Sequence, residues 1–506
     1  MVSTSYLLAN GPIWTGDPAQ PWAQAVVVRG RDLVHVGTRA AADDFIDGAT
    51  EFIDLNGRMC LPFEERSPRR EWLDEITGDR PMYLFSADAH DSWFNTAAMR
   101  DAGIGASTPD PDPGAQYYVR DPDGTPTGHA VEGAATIPIL LGQNLFSQDN
   151  IRASQQLTLQ PAPSWGMTAY FEAGTIVGET SEDSRWVFED LIAQDEAGTL
   201  GVRVAGSYWT RTPTDDPRVI AEGLTRWNRE LRSDHVHIGT CKLWADGTFM
   251  SGGALLLKPC CGHAPNDLGT MTFTPETIAA QIEAVQAAGF DMHIHVDGDG
   301  SARVVLDAYE KVLGRLGARS GPNQPRHVLA HNSMVDPADI GRYAQMGVIA
   351  NCTPLWGTNY NGQYLGIYTN LLGADRVEER LFPYGDLVRS GATVTYGSDI
   401  PGVDSPEIPP LIQIEALVTR KRPGHPDDEP LVPRQRIGLH DALRGYTVNG
   451  AYQLRLDHRT GSLTTGKAAD LTVLGADLFR VDPHEIHAVP VVLTMMDGRI
   501  TYDGGG

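Results

Sequence analysis

Five polar side chains fall at the ends of strand-like segments in the second half of the chain. They are Lys242 in CKLWADG, His293 and His295 in MHIHVDGDG, His331 in VLAHN and Asp399 in TYGSD. Successive side chains of a strand point to opposite faces, so His293 and His295 share one face. Histidine and carboxylate are ligands of zinc and related divalent ions, and a lysine joins them only when deprotonated or carboxylated. The set predicts a metal site, with Asp399 as the base for a metal-activated water.

Each of these residues has a simpler interpretation when taken alone. The chain has 15 histidines, and a single strand histidine is more often packed in a core. His327, which precedes the strand of His331, is placed away from the metal position on this view. Lys242 alone would be an inward-facing structural lysine, and Asp399 alone a cap between strand and loop. The metal hypothesis depends on their joint placement after consecutive strands.

Such a site needs a scaffold that brings the strand ends together. Apolar runs alternate with amphipathic stretches such as 275–288 and 302–316, a pattern that predicts parallel strands joined by crossover helices. Eight such units form a (β/α)₈ TIM-like barrel, an α/β fold whose functional groups lie at the carboxyl ends of its strands. Strands are predicted at residues 167–173, 201–208, 240–245, 291–296, 327–331, 348–353 and 392–397, and 82–85 is a candidate for the eighth.

The two ends of the chain are rich in short strands. Residues 25–28 and 33–37 form a hairpin pattern, and strands are predicted at 51–55, 469–474 and 491–496. This distribution favours one small β domain assembled from both termini.

Composition excludes several classes of protein. The 506 residues include 65 acidic and 40 basic side chains, for a net charge of −25, which argues against binding to nucleic acid or anionic lipid. No run of 18 apolar residues and no signal peptide is found. The five cysteines are sparse and irregular, as expected of reduced thiols in a cytoplasmic protein. We expect a small-molecule substrate, and the sequence leaves open whether the chain forms a homo-oligomer.

The longer motifs resemble a known family. The stretches KLWADGTFMSGGALLLKP, HIHVDGDGSARVVLDAYE, HVLAHNSMVDPADIGRYAQMGVIANCTPLW, GATVTYGSDIPG and ALRGYTVNGAYQL are similar to amidohydrolase family 3 of the amidohydrolase superfamily, which includes the N-substituted formamide deformylases. The resemblance implies a metal-dependent hydrolase (β/α) barrel over 63–455 with a cap insertion around 80–150. It also implies a composite β-sandwich from 1–62 and 456–506.

The resemblance also implies roles for individual residues. Lys242 matches the metal-site lysine of the fourth strand, which is carboxylated in some relatives, and His295 and His331 match the metal histidines of the fifth and sixth strands. Asp399 matches the catalytic aspartate of the eighth strand, with direct metal ligation as an alternative role. Zinc is the expected ion, with manganese or iron as alternatives. A further set could contact substrate or support the ligands: His293, His90 and Glu132.

One motif of the family is missing. Its first strand has the form LPGFIDxHxH, whose two histidines bind metal, but here Leu61 and Pro62 are followed by Phe63-Glu64-Glu65. Either a segment is omitted between Pro62 and Phe63 or the protein has lost the strand.

The expected activity is hydrolysis of a C–N bond in an amide, formamide or carbamate, with His295 helping to hold the developing oxyanion. Two alternatives are a catalytically silent barrel that binds a ligand or serves in a complex, and a metal hydrolase acting on an ester or lactone.

Overall fold

The computed structural model describes residues 5–15, 20–29, 32–48, 50–55, 68–86, 90–114, 116–175, 177–178, 180–210, 212–260, 268–317, 324–362, 364–400 and 405–505. The chain divides into two compact units, Met1–Pro68 and Arg69–Gly506. The position of the expected HxH motif, around Pro62 and Phe63, lies outside the described residues.

The first unit is built on a four-stranded sheet in the order β3-β2-β1-β4. Its strands and one short helix are β1 Ser5–Trp14, β2 Trp22–Arg29, β3 Asp32–Gly37, α1 Arg39–Ala42 and β4 Thr50–Asp54. β2 and β3 pair antiparallel, which confirms the predicted hairpin. Leu7, Ala25 and Val27 pack with Ala42 of the helix on one face of the sheet, and Ile13, Ala23 and Val26 form a second small cluster.

The cap follows at the start of the second unit. It contains an antiparallel sheet in the order β5-β6-β8-β7. Its elements, with the helices around them, are α2 Arg70–Thr77, β5 Tyr83–Phe85, β6 Ser92–Phe94, α3 Thr96–Asp101, β7 Tyr117–Arg120, β8 Pro126–Val131, α4 Gly133–Gly142 and α5 Gln148–Thr158. The prediction that 82–85 is a barrel strand is therefore wrong. An apolar run of this length fits a cap hairpin as well as a barrel strand, because periodicity does not distinguish them.

A parallel sheet of seven strands forms the centre of the second unit and runs in chain order without interruption. The strands are β9 Ala169–Glu172, β10 Arg203–Thr210, β11 Val236–Trp244, β12 Asp291–Val296, β13 Val328–His331, β14 Ile349–Cys352 and β15 Val394–Tyr396. All residues of β10 and β12 are buried, as expected of parallel strands covered on both faces. The predicted α/β fold of the TIM-barrel type is confirmed, with all seven predicted barrel strands in place.

Helices follow the strands and bury one face against them. They are α6 Arg185–Glu196, α7 Pro217–Glu230, α8 Pro275–Ala287, α9 Asp299–Leu316, α10 Pro337–Met346, α11 Tyr364–Leu372, α12 Ala374–Arg380, α13 Tyr384–Arg389, α14 Pro410–Thr419, α15 Leu439–Tyr446 and α16 Val448–Gln453. α7, α8 and α10 each begin with a side-chain cap followed by proline, since the proline nitrogen has no hydrogen to leave unpaired. These local signals set where each crossover begins.

The barrel sheet has two edges in the described part of the chain. β9 pairs with β10 and β15 pairs with β14, and no other described strand joins either edge. An eight-stranded barrel would place its first strand between them. Counted with the first strand that the resemblance implies, the seven strands are the second to eighth of such a barrel, and β11 is the fourth.

A three-stranded antiparallel sheet ends the chain: β16 Leu471–Leu474, β17 Val491–Met496 and β18 Arg499–Asp503. The predicted strands at both termini are confirmed, while their assembly into one sandwich stays a prediction. None of the described helices is long and apolar enough to cross a bilayer. Cys241, Cys260 and Cys352 are free thiols, as expected.

Candidate active site

The predicted side chains come from the carboxyl ends of neighbouring strands. In the register of the parallel sheet, Lys242 of β11 is opposite His293 of β12, and Val296 of β12 is opposite His331 of β13. Asp399 follows β15 by three residues. The lysine and the three histidines are buried, whereas the Asp399 side chain is 41% exposed. All five residues line one cavity of about 1690 Å³.

Two closer groupings exist within this cavity. The ring centroids of His295 and His331 are 4.6 Å apart, and Asp399 Oδ2 lies 3.9 Å from His331 Nδ1. Lys242 Nζ lies 3.3 Å from His293 Nδ1. The structure thus brings together the two predicted metal histidines with the predicted aspartate, and sets the lysine beside the other histidine of β12.

One ring nitrogen of each predicted metal histidine faces a protein oxygen. His295 Nε2 donates to the Gly247 carbonyl at 3.3 Å, and His331 Nδ1 lies 3.2 Å from Thr353 Oγ1. Metal-binding histidines usually make such a bond with the nitrogen that does not bind the metal, because it fixes the ring and its tautomer. His295 would then bind through Nδ1 and His331 through Nε2.

Burial keeps these side chains in the form that a metal requires. It lowers the pKa of His293 and His295 well below the usual value, and that of His331 to about 4. The same desolvation lowers the pKa of Lys242 to about 8, although the Asp399 carboxylate opposes the shift. The imidazoles are therefore neutral at pH 7, and a fraction of Lys242 is deprotonated. Neutral imidazole nitrogens and a carboxylate fit a divalent ion such as zinc.

The backbone at the site adopts unusual angles. His331, Asn332 and Asp399 have φ of 72°, 54° and 56° in the left-handed region that non-glycine residues rarely occupy. Asn332 is held there, since its amide nitrogen donates to the Leu329 carbonyl at 2.8 Å and its oxygen accepts from Tyr343 Oη at 2.6 Å. Residues kept in such regions often belong to functional sites.

Sequence reasoning missed a buried carboxylate pair, Asp246 and Asp297. Asp246 accepts hydrogen bonds from the backbone nitrogens of Asp297 and Gly298 at 3.1 and 3.0 Å, and Oδ1 lies 3.8 Å from His295 Nε2. Burial, with the Asp297 charge as a second cause, raises the pKa of Asp246 well above its usual value. The sequence feature that could have revealed this pair is the Asp-Gly dipeptide that follows each of two strands, in WADG and HVDG. Asp246 ties the ends of β11 and β12 together beside His295.

The cap contributes His90 and Glu132 to the same cavity. His90 Nδ1 lies 2.6 Å from Glu132 Oε2, and the His90 ring centroid is 5.6 Å from that of His295. The structure therefore places both residues next to the predicted ligands, as their assignment to substrate contact or ligand support requires. Their roles stay predictions.

The described residues do not form a complete metal cage as they stand. No three His, Cys, Asp or Glu side chains among them are arranged to hold one ion. His295 and His331 are the two side chains whose chemistry and spacing best fit a shared ion, with Asp399 and Lys242 nearby.

The parallel barrel carries its predicted site residues at the carboxyl ends of its strands, where barrel enzymes have their active sites. Residues 51–502 match the sequence profile of the amidohydrolase family. The chain belongs to this family and is a hydrolase of the amidohydrolase type.

Several named relatives match most of the chain. It is 26% identical to N-substituted formamide deformylase of Arthrobacter pascens over 537 aligned positions, covering 96% of this chain and 91% of the relative. It is 24% identical to Protein LONG AFTER FAR-RED 3 of Arabidopsis thaliana over 563 positions, covering 98% and 91%. It is 27% identical to putative amidohydrolase YtcJ of Bacillus subtilis, covering 85% and 76%. The first two alignments are longer than the 506 residues of this chain, so these relatives carry residues that it lacks.

The fold matches a solved structure over almost its whole length. An uncharacterized metal-dependent hydrolase from Pyrococcus horikoshii OT3 superposes with a TM-score of 0.58 at 17% identity, covering 95% of this chain and 99% of the other. This likeness confirms the fold.

Proposed function

We propose that the protein is a metal-dependent hydrolase that cleaves a C–N bond in a small amide, formamide or carbamate. The observation that carries the proposal is the pairing of neutral, buried His295 and His331 with Asp399 in one cavity. The formamide deformylase relative supports this choice of bond.

His295 and His331 would hold the divalent ion, zinc in the first place, with Lys242 joining as a free amine or as a carbamate. Such an ion, when bound, lowers the pKa of water and polarises a carbonyl oxygen. Asp399 is the side chain with access to solvent, and it accepts the proton of the attacking water and delivers it to the leaving nitrogen. The His295 ring, fixed by the Gly247 carbonyl, keeps its orientation while charge develops at the substrate oxygen.

The wall of the cavity indicates the kind of substituent that it accepts. Ile137, Leu140 and Leu141 of α4 line the cap side, and Tyr170 and Phe171 of β9 line the barrel side. These side chains line the same cavity as the polar cluster, and the Phe171 ring centroid lies 4.8 Å from that of His293. An alkyl or aryl group next to the reacting carbonyl fits this arrangement.

The test is metal analysis combined with substrate profiling of the purified full chain. We expect at least one zinc, manganese or iron ion per chain and release of amine from N-alkyl formamides, formanilide or N-aryl carbamates. Matched esters and lactones in the same panel separate C–N cleavage from the ester alternative. A chain that binds no ion, and shows no turnover after each metal is added, would support the silent barrel and overturn the proposal.

A further inference from the structure

A single peptide group lies between the cap and the His295 ring. Its N–H, which belongs to Thr248, donates to Glu132 Oε1 of the cap at 3.2 Å. Its carbonyl, which belongs to Gly247, accepts from His295 Nε2 at 3.3 Å. A trans peptide group is planar and has its N–H and C=O on opposite sides, so it cannot turn without changing both bonds. The orientation of the His295 ring is therefore linked to the position of Glu132.

The loop that contains this peptide group fits closely around the Glu132 carboxylate. Ser251 Oγ donates a second bond from the loop to Glu132 Oε1, at 2.9 Å. The Gly247 backbone nitrogen donates to the Gly253 carbonyl at 3.0 Å, which closes the loop on itself. A Cβ on Gly247 or on Gly253 would lie 1.9 or 2.3 Å from Glu132 Oε1, so the two glycines leave the room that the carboxylate needs. A displacement of the carboxylate would therefore be transmitted to the Gly247 carbonyl.

Glu132 is also fixed on the side of the cap. Its side chain is 7% exposed, and its Oε2 lies 2.6 Å from His90 Nδ1. Its backbone nitrogen donates to Asp91 Oδ1 at 3.2 Å. The residue has φ of 65° and ψ of 169°, a combination that costs free energy in any residue except glycine. Strain of this kind persists only where surrounding contacts hold the residue in place, and here those contacts come from both the cap and the barrel.

We propose that Glu132 is a positioning residue, which sets the orientation of the His295 ring by docking the cap on the loop after β11. This rests on the proposed function, in which the His295 ring faces the reacting substrate. A carboxylate polarises the peptide group more strongly than a neutral acceptor does, and this strengthens the bond between the Gly247 carbonyl and His295. The cap thus contributes to the reaction without touching the reacting atoms.

The first part of the test is steady-state kinetics of the full chain with the amide, formamide and carbamate panel. Glu132→Ala removes the acceptor of both bonds from the loop. Because a displacement of about 1 Å in a catalytic group can cost about 10²-fold, kcat should fall by about 10- to 100-fold. KM should change by less than about 3-fold, since the contacts with bound substrate remain. Glu132→Gln keeps an oxygen for the two donors and should recover kcat to within about 5-fold of the wild type.

The second part observes the His295 ring directly, without substrate or metal. In protein labelled with ¹⁵N-histidine, the ring nitrogen signals report the tautomer and its hydrogen bonds, and His295→Gln identifies the signals of His295. Glu132→Ala should shift the Nε2 signal of His295 and populate the other tautomer. A merely structural role of Glu132 would lower stability but leave these signals in place in the folded protein.

Asp110→Asn is the matched control. Asp110 is also a cap carboxylate, but it accepts from the Tyr118 backbone nitrogen at 3.2 Å and from Arg120 Nη2 at 3.1 Å, both within the cap. This variant should keep the wild-type kcat and the wild-type His295 signals.

The role of Glu132 is overturned if folded Glu132→Ala keeps either the wild-type kcat or the wild-type His295 signals, and the proposed function then still stands. A wild type that hydrolyses nothing in the panel overturns the proposed function instead, and the His295 signals alone then decide whether Glu132 and His295 are linked. If Glu132→Ala does not fold, Gly253→Ala tests the same link from the barrel, because the carboxylate must move to admit the new Cβ. It should lower kcat and shift the His295 signal, and a folded Gly253→Ala with both unchanged would overturn the role of Glu132.

Discussion

At the scale of single residues, the two strand histidines carry the most direct prediction. His295→Ala and His331→Ala should each lower bound metal well below one ion per chain, measured by elemental analysis of the dialysed protein. The reason is that each ring is buried and neutral and has its other nitrogen bonded to protein. His327→Gln is the control, because His327 belongs to the region of β13 but bonds to Met292 and Gln286 instead of facing the cavity. If either alanine variant still binds as much metal as the wild type, the histidine that it replaces is not a metal ligand.

Replacing Lys242 distinguishes a carboxylated lysine that binds the metal from a lysine with a structural role. If its amine carries a carboxylate, Lys242→Ala should lose metal, and a short carboxylic acid such as acetate or propionate should restore part of the metal and of the activity. The lysine is buried next to His293, and its pKa of about 8 leaves some free amine to react with carbon dioxide. If Lys242→Ala retains its metal and the added carboxylic acid has no effect, Lys242 is a structural residue.

Asp399 is set apart from the ligands by its exposure to solvent. Asp399→Asn keeps the size of the side chain but cannot take a proton from water at neutral pH. General acid–base catalysis contributes about 10²- to 10⁴-fold, so kcat should fall by that factor while metal content changes little. Steady-state kinetics and elemental analysis of the same preparation check both parts. Loss of the metal instead would show that Asp399 is a ligand, and an unchanged kcat would remove it from the mechanism.

At the scale of elements, apolar runs and turn residues were sufficient to predict the strands that carry the site. The runs are bounded by glycine or polar residues, so the seven barrel strands and several terminal strands were predicted from sequence, whereas β1 Ser5–Trp14 was not. Contacts between distant parts of the chain were not predictable in this way. Asp246 bonds across two strand ends, and Glu132 reaches the loop after β11 from more than 100 positions away. Their importance is a property of the folded arrangement rather than of the local pattern.

The last sheet of the chain is attached to the barrel by a buried ion pair. Arg203 of β10 donates through Nε and Nη2 to Asp470 at 2.7 and 3.0 Å, and both side chains are 2% exposed. Asp470→Asn leaves Arg203 with only the partly exposed Asp497 carboxylate, whose Oδ1 lies 3.2 Å from Nη2, and should lower the free energy of unfolding by about 3 kcal/mol, as measured in urea. Asp503→Asn, on the exposed edge of the same sheet, should change it by less than about 0.5 kcal/mol. Equal stability of the two variants would contradict the anchoring role of Asp470.

At the scale of the whole molecule, the sequence motifs predict a missing first strand. The described sheet has seven strands with β9 and β15 at its edges, and the residues at the expected place of that strand lie outside the described part of the chain. Alignments with two relatives are longer than this chain, which agrees with a segment absent from it. The predicted site residues converge in the described part of the chain, because the register of β11 to β13 brings Lys242, His293, His295 and His331 together and Asp399 follows β15.

Acid should destabilise the metal-free molecule through its buried histidines, and His327 is the clearest case. Its Nδ1 accepts from the Met292 backbone nitrogen at 3.0 Å and its Nε2 donates to Gln286 at 2.9 Å, so protonation would break the first bond. Burial lowers the pKa of His327 from 6.5 to about 4 in the folded state. Between these values the unfolded state binds a proton that the folded state does not, so stability falls as pH decreases from about 6.5 to 4. The shift corresponds to a loss of roughly 3 kcal/mol. Urea unfolding at pH 7.5 and pH 5 should show a smaller fall for His327→Gln than for the wild type, whereas equal falls would show that His327 does not couple folding to protonation.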